Sequence, residues 1–367
     1  MKSLSVPRPL KLPASRRFSN AAAELLAARR RVPALRYASS VLLPLSVPYL
    51  FGAWLERSLC ARVRRPRVAV ISVGNITAGG TGKTTLVQML AGYLAARGWR
   101  TAVITTRKRG RLSGGRIGQE AAWLDDEAAL LSWALPQTVV LSGTRKEQLL
   151  RRAGRMELDA VIIDDGFHCP DRWKDCDIVT IDALLPFDNG LVLPAGLLRE
   201  PLCALRRADA FVITHSRLAG MRRTQRLIRR LRGFGKGIVL MDYRVASLTM
   251  PDGRVLAPEM VCGRDIIAFA GIGNPDSFYL LLSTLAPRRL FTVTFPDHTV
   301  YTDKDIDGLA SLASEHRAEL LLTTEKDMVK LRELVRGMPV AAVRVTPVLA
   351  TLSGTPCGVD TLLASIL

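Results

Sequence analysis

A chain of 367 residues is long for one hydrophobic core and sufficient for two, and its 48% hydrophobic content excludes global disorder. Lys and Arg number 52 against 33 Asp and Glu, a formal net charge of +19, which calls for an anionic partner: nucleic acid, an anionic membrane surface or a phosphorylated substrate. No RNA-binding signature or aromatic-interleaved basic repeat accompanies the charge, which argues against nucleic acid, and six scattered cysteines without zinc-ligand spacing indicate free thiols in a reducing compartment.

In chain order, residues 1–37 carry one acid, Glu24, among many Arg, Ser, Ala and Pro, a composition shared by organelle transit peptides and bacterial basic tails. Residues 37–55 are strongly apolar, but Pro44 and Pro48 leave them short of the roughly 20 residues a transmembrane helix needs. With flanking arginines and Tyr49, Phe51 and Trp54, the stretch is expected to lie in the interface of an anionic membrane surface; a helix packed on the protein's own core is the alternative. No cleavable secretory signal is evident.

Residues 68–85 say most about function. Positions 68–73 are apolar and β-branched, a glycine-rich loop comes next, and 85–96 has a helical pattern, which is the strand, loop and helix order of a P-loop. Backbone N–H groups of Gly79, Gly80, Thr81 and Gly82 can converge on phosphate oxygens, and Lys83 adds a point charge for the outer phosphates. Thr84 is expected to hold Mg²⁺, and Thr85 belongs to the same nucleotide-binding set, so ATP with Mg²⁺ is the expected ligand pair. Standard spacing wants glycine at position 77, where Thr77 stands, so the loop is a compact variant of the deviant P-loop kind; an ordinary glycine turn is the bland alternative.

Strands are then expected at 101–105, 138–141, 159–163, 178–181 and 210–213, with helices at 127–135 and 147–155 and a basic glycine-containing loop at 107–116. The strand 159–163 delivers Asp164 and Asp165 at its carboxyl end, where a P-loop protein keeps its magnesium-binding acid. Asp125-Asp126-Glu127 opens a helix, where capping is the ordinary reading, and Arg199 and Glu200 stand side by side in an unusual loop. A boundary is expected at 233–237, then a hairpin around Pro251-Asp252-Gly253 and strands at 266–270, 290–295 and 320–323. Gly271-Ile272-Gly273-Asn274-Pro275 precedes a helix, His298 comes after a strand beside Asp297, and Thr323-Thr324-Glu325-Lys326-Asp327 ends the last strong strand, where polar groups could meet nucleotide or substrate.

The expected fold is α/β: a P-loop kinase-like, doubly wound parallel sheet with a second, smaller α/β lobe joined by a hairpin linker. Its expected parts are a basic tail and interfacial helix at 1–64, a nucleotide-binding kinase domain at 65–235, and at 236–367 a second lobe closing over the active site.

The ordered set Val73-Gly74-Asn75, Gly79-Gly80-Thr81-Gly82-Lys83-Thr84, Asp164-Asp165-Gly166-Phe167, Leu193-Pro194-Ala195-Gly196 with Leu198-Arg199-Glu200, Gly271-Ile272-Gly273-Asn274-Pro275, Phe295-Pro296-Asp297-His298 and Thr323-Thr324-Glu325-Lys326-Asp327 closely resembles the tetraacyldisaccharide 4′-kinases, the lipid A 4′-kinases of Gram-negative bacteria. The resemblance runs from about residue 30 to about residue 335. It implies ATP-dependent phosphorylation of an acylated disaccharide glycolipid by a peripheral protein at the cytoplasmic face of the inner membrane, and a monomer is expected. It also implies that Asp126 pairs with His298 to activate the acceptor hydroxyl, that Asp164 and Asp165 handle Mg²⁺ and nearby charge, that Glu200 is an active-site acid, and that Lys83 with Thr84 grips the triphosphate. The family usually writes Asp-Asp-Gly-Phe-Gln-His and Ser-Arg-Gly-Tyr-Gly-Arg, where this chain has His168-Cys169 after Phe167 and Thr106-Arg107-Lys108-Arg109-Gly110-Arg111; Asp125 replaces the glycine before Asp126.

Two other classes fit the P-loop. One is a membrane-associated regulatory ATPase, which leaves His298 and Glu200 unexplained. The other is a catalytically impaired nucleotide-binding homologue in which the changes at Arg109 and His168 have removed activity.

Overall fold

The computed structural model describes residues 39–60, 68–106, 113–117, 120–124, 128, 131–132, 134–296, 299–331, 334–335 and 337–364. These fall into two compact units, one holding residues up to Asp242 together with the segment from Pro347 onward, the other holding Tyr243–Thr346.

The first unit contains β1 (Ala69–Asn75), β2 (Thr101–Thr106), β3 (Ser113–Ile117), β4 (Glu120–Leu124), β5 (Val139–Gly143), β6 (Ala160–Asp164), β7 (Cys176–Asp182), β8 (Ala210–Thr214) and the start of β9 (Gly237–Thr249). Its main sheet runs β5-β2-β6-β1-β7-β8-β9, parallel throughout. Strands such as Ala160–Asp164 are buried along their whole length, so they read as continuous apolar runs without the alternation of a half-exposed sheet. Around them lie α1 (Leu43–Cys60), α2 (Lys83–Ala95), α3 (Lys146–Ala153), α4 (Ser216–Ala219) and α5 (Met221–Arg232). Helix α2 packs on β1, β2 and β6 through Leu86, Val87, Leu90, Ala91 and Leu94, a spacing that gives one apolar stripe.

The register matters for function. Val73 of β1 stands level with Asp164 of β6 and with Ile178 of β7, so β6 delivers Asp164 at its carboxyl end beside the strand that feeds the glycine-rich loop, while β1 runs on to Asn75 and β7 to Asp182. In open α/β sheets that edge is where ligands are received.

The second unit has β10 (Val255–Leu256), which pairs antiparallel with the far end of β9 around the 251–253 turn, as the hairpin signal required. It continues with β11 (Asp265–Ala270), β12 (Arg289–Thr294), β13 (Leu320–Thr324) and β14 (Val340–Ala350), ordered β12-β11-β13-β14 and parallel. Helices α6 (Pro275–Ser283), α7 (Asp303–His316) and α8 (Glu325–Leu331) complete it, and α9 (Val359–Ala364) belongs to the first unit. Its core gathers Phe269, Phe295, Tyr301, Leu321 and Leu331.

Two elements depart from expectation. Ser113–Ile117 is a strand paired with Glu120–Leu124, in place of a basic loop running to residue 116; a cross-strand partner supplies order that a glycine-rich local pattern does not disclose. Strand β14 escapes the sequence pattern because Pro347 reads as a breaker, yet its pairing with β13 ends at Val343, so the missing N–H falls beyond that ladder.

Candidate functional site

The P-loop grows out of β1. The side-chain amide of Asn75 donates to the carbonyls of Thr77 (2.7 Å) and Gly79 (3.2 Å), folding the chain over the end of its own strand. The Thr81 and Thr180 hydroxyls meet at 2.7 Å, and Thr180 donates on to the Gly74 carbonyl at 3.1 Å, fastening the loop to β7. Gly79 (φ 116°) and Gly82 (φ 83°) take backbone conformations that side chains disfavour. Gly82 is the N-cap of α2 and makes no side-chain cap, which leaves the first N–H groups of a 13-residue helix for an anion.

Behind the loop stands the acid pair. Thr84 Oγ1 donates to Asp164 Oδ2 at 3.2 Å, bringing a hydroxyl and a carboxylate oxygen together, the hard donor set that Mg²⁺ prefers. Among the described residues no group of three or more His, Cys, Asp or Glu is gathered to hold a metal. Mg²⁺ needs none, since it is usually held by one or two carboxylates together with substrate phosphates and water.

Asp165 adopts φ 54° and faces three cations: Lys83 Nζ lies 3.5 Å from Oδ1, Arg199 Nη1 lies 2.8 Å from Oδ2, and Lys146 Nζ contacts its carbonyl oxygen. Burial alone would raise this carboxyl, but Lys83, Arg199 and Lys146 outweigh it and hold Asp165 far below the usual carboxylate range. The turn after β6 lies directly on β1. A Cβ on Gly166 would sit 2.4 Å from Ser72 Oγ, and one on Gly74 would sit 2.4 Å from the Phe167 nitrogen.

Arg199 and Glu200 reach this site because their loop is stitched to the P-loop's entrance. Ala78 N–H donates to Leu197 O (2.7 Å) and Arg199 N–H to Ile76 O (2.8 Å). Gly196 makes the loop possible, since a Cβ there would lie 1.9 Å from the Leu191 carbonyl oxygen. Gly196→Ala is expected to cost about 3 kcal/mol, lowering the melting temperature by about 5 °C or more. Gly80→Ala, whose Cβ meets nothing within 4 Å, should melt with wild type; equal melting of the two variants in calorimetry would contradict this packing.

Glu200 is gripped from two sides, by His168 Nδ1 at 2.6 Å and Arg207 Nη1 at 2.8 Å. Burial would raise its pKa, but the hydrogen bonds from His168 and Arg207 prevail and bring it down to about 2. A carboxyl depressed in the folded state stabilises the fold above its unfolded value, near 4.5, and that contribution fades as pH falls toward 2. Glu200→Gln should therefore be less stable than wild type at neutral pH, with the gap closing below about pH 4.5. Denaturant midpoints measured across that range test it, and a constant gap would count against the ionised contact.

Several of these partners carry no mark in the sequence. Arg199 stands out there only as Glu200's neighbour, and Lys146 has no local signal. Lys174, whose Nζ reaches the carbonyls of Gly166 (3.3 Å) and Phe167 (3.2 Å), is equally silent. Asp126 and His298 lie outside the described residues. In the second unit Asp327 is fully buried and accepts from Gly271 N–H (3.0 Å) and Thr324 Oγ1 (2.7 Å), so its motif braces the loop after β11 from inside instead of offering this carboxylate to a ligand.

A model of the tetraacyldisaccharide-1-P 4′-kinase family matches residues 38–366. The chain belongs to this family. Tetraacyldisaccharide 4′-kinase of Geobacter metallireducens is 37% identical over 309 residues, 81% of this chain and 89% of that one, and its counterpart in Syntrophus aciditrophicus is 36% identical over 298 residues, 75% and 78% of the two chains. The crystal structure of LpxK from Aquifex aeolicus in complex with ATP superposes with a TM-score of 0.61 at 26% identity, covering 90% of this chain and 99% of that one. The tetraacyldisaccharide 4′-kinase match takes in helix α1 and continues through α9, past residue 335 where the sequence resemblance was expected to stop.

Proposed function

We infer that this protein transfers the γ-phosphate of ATP to the 4′-hydroxyl of a tetraacylated glucosamine disaccharide 1-phosphate, a step of lipid A biosynthesis. The family match across residues 38–366 carries the reading, and the intact Gly82-Lys83-Thr84 junction, with the Thr84 hydroxyl 3.2 Å from Asp164, supplies the matching chemistry. Gly79 to Thr85 would hold the triphosphate. Thr84 with Asp164 would hold Mg²⁺, with Asp165 paired to Lys83 beside them. Bound there, Mg²⁺ would neutralise charge building on the phosphate oxygens.

Phosphoryl transfer asks the protein for position and charge more than for covalent chemistry. Lys83 and Arg199 form a cationic pair around Asp165, and an arriving triphosphate offers both a stronger anionic partner. His298, oriented by Asp126, takes the proton of the attacking 4′-hydroxyl, a role carried over from the family motifs. Glu200, kept ionised by His168 and Arg207, is the active-site acid that the family motifs imply.

The lipid character of the acceptor finds support in an apolar cavity of 270 Å³ between α1 and the segment just past Glu200, lined by Leu43, Val47, Leu50, Val192 and Leu202. Among the described residues no helix is long and apolar enough to cross a membrane. Helix α1 nevertheless exposes Phe51 and Trp54, which supports a peripheral attachment to an anionic membrane at the cytoplasmic face of the inner membrane.

The test is incubation of purified protein with γ-labelled ATP and an acylated glucosamine disaccharide 1-phosphate. Label is expected in a bisphosphorylated glycolipid. Slow hydrolysis with no labelled lipid would favour the regulatory ATPase, and ATP binding with neither reaction would favour an impaired homologue.

A further inference from the structure

Among the described residues, helix α5 stands out for its lopsided charge. From Ala210 to Met241 the chain has no Asp or Glu, and within it Met221–Arg232 carries six arginines. One face of α5, built from Thr224, Leu227, Ile228 and Leu231, is buried. The other face exposes Arg222, Arg223, Arg226, Arg229, Arg230 and Arg232, and none of the six forms an ion pair among the described residues. An ordinary solvated helix mixes both signs of charge, which lowers its own repulsion. Here neighbouring guanidiniums one turn apart repel and no carboxylate among the described residues pairs with them, so an external anion is what this face is suited to meet.

The place of α5 in the unit says which anion. The Arg230 guanidinium lies 4.8 Å from the Phe187 ring, and Phe187 shares one apolar cluster with Leu227, Ile228 and Leu231 of α5 and with Val192. Tyr49 and Leu50 of α1 pack against the same cluster, and the Ser46 hydroxyl donates to the Val192 carbonyl at 3.0 Å. The segment from Phe187 to Val192 thus joins α5 to α1 within one patch of core. On α1, Val47 (68%), Phe51 (60%) and Trp54 (61%) are exposed, a large apolar surface for a single helix.

We propose that the arginine face of α5 is a second membrane contact, binding anionic phospholipid headgroups while the exposed face of α1, a helix packed on the same apolar cluster, enters the acyl boundary. This rests on the membrane attachment proposed above. Stable peripheral binding generally takes two signals, and an apolar helix combined with a polybasic patch is one such pair. A guanidinium suits the purpose because it forks onto phosphate oxygens in two hydrogen bonds. Nucleic acid would also be attracted to six arginines, but it has no use for the exposed apolar face of α1 in the same unit.

The test uses full-length protein and two kinds of vesicle, pure phosphatidylcholine and phosphatidylcholine with about one-third phosphatidylglycerol. Each arginine near an anionic leaflet contributes about a fivefold factor, so Arg222→Gln, Arg223→Gln, Arg226→Gln and Arg229→Gln combined should weaken binding to the anionic vesicles by about a hundredfold or more. Arg230 is left in place because it packs on Phe187. Binding of the quadruple variant to pure phosphatidylcholine should equal wild type, its melting temperature and ATP affinity should be unchanged, and added salt should erase the wild-type preference for anionic vesicles.

Trp54→Ser with Phe51→Ser should weaken binding to both vesicles. If that variant fails as expected while the quadruple variant keeps the full phosphatidylglycerol preference, the proposal for α5 is overturned and the membrane attachment stands. If wild type binds neither vesicle, the attachment itself falls. A quadruple variant impaired only in binding an RNA oligonucleotide would also overturn the lipid assignment.

Discussion

Lys83→Ala is expected to lower the rate of phosphoryl transfer by about a thousandfold. Losing one positioned donor at a developing charge commonly costs a hundredfold to a thousandfold, and Lys83 brings a full charge at the mouth of α2. Its present partner, Asp165, keeps Arg199 at 2.8 Å and the Lys146 contact after the substitution, so no bare carboxylate is left inside the fold. Activity should therefore collapse while the melting temperature changes little. Lys83→Arg should recover only a small part of the rate, because a planar fork replaces a compact charge in a loop shaped by Gly79 and Gly82. Single-turnover transfer and ATP binding, measured side by side, separate loss of grip from loss of chemistry; near-normal turnover in Lys83→Ala would remove the triphosphate from this loop.

The second large effect belongs to the proton. His298→Ala and Asp126→Ala should each slow transfer by about a hundredfold to ten-thousandfold, the span that general base assistance provides. Because one residue acts through the other, the double variant should be scarcely slower than His298→Ala alone. ATP affinity should stay at the wild-type value in all three, since the nucleotide set from Gly79 to Thr85 is a separate group of residues. Additive losses in the double variant would show that Asp126 and His298 serve different steps, and wild-type rates in either single variant would end the dyad.

The unused strength of the site is how many cations surround so few acids. Lys83, Arg199 and Lys146 converge on Asp165, while His168 and Arg207 converge on Glu200. Each acid offsets the mutual repulsion of the cations gathered around it. His168 also gives a physical role to the residue at which the chain departs from the family pattern: it occupies the Glu200 carboxylate at 2.6 Å, a contact available to a ring nitrogen at that position.

Much of this was written into short stretches of chain. Residues 68–85 determined the strand, the phosphate loop and the helix after it, because glycine conformations, β-branched burial and helix periodicity are local properties that a few residues decide. The acids at 164 and 165 were legible for the same reason: a short, continuous apolar run suits a buried strand, and the residues just past its carboxyl end face the ligand edge.

Tertiary structure decided the pairings. That Arg199 neutralises Asp165 and that His168 shares Glu200 with Arg207 depend on loops 34 and 32 residues apart, and the strand partner of Ser113–Ile117 depends on cross-strand register; neither leaves a periodic mark. Asp327 shows the same limit from the other side. Its sequence reads as a polar strand end open to a ligand, yet packing buries it completely, because a carboxylate supplied with an N–H and a hydroxyl can be taken out of water. The six arginines of α5 can be counted in the sequence; only the fold turned all six outward and packed their helix on the same apolar cluster as Tyr49 and Leu50 of α1, since burial of Leu227, Ile228 and Leu231 fixes which way the helix must face.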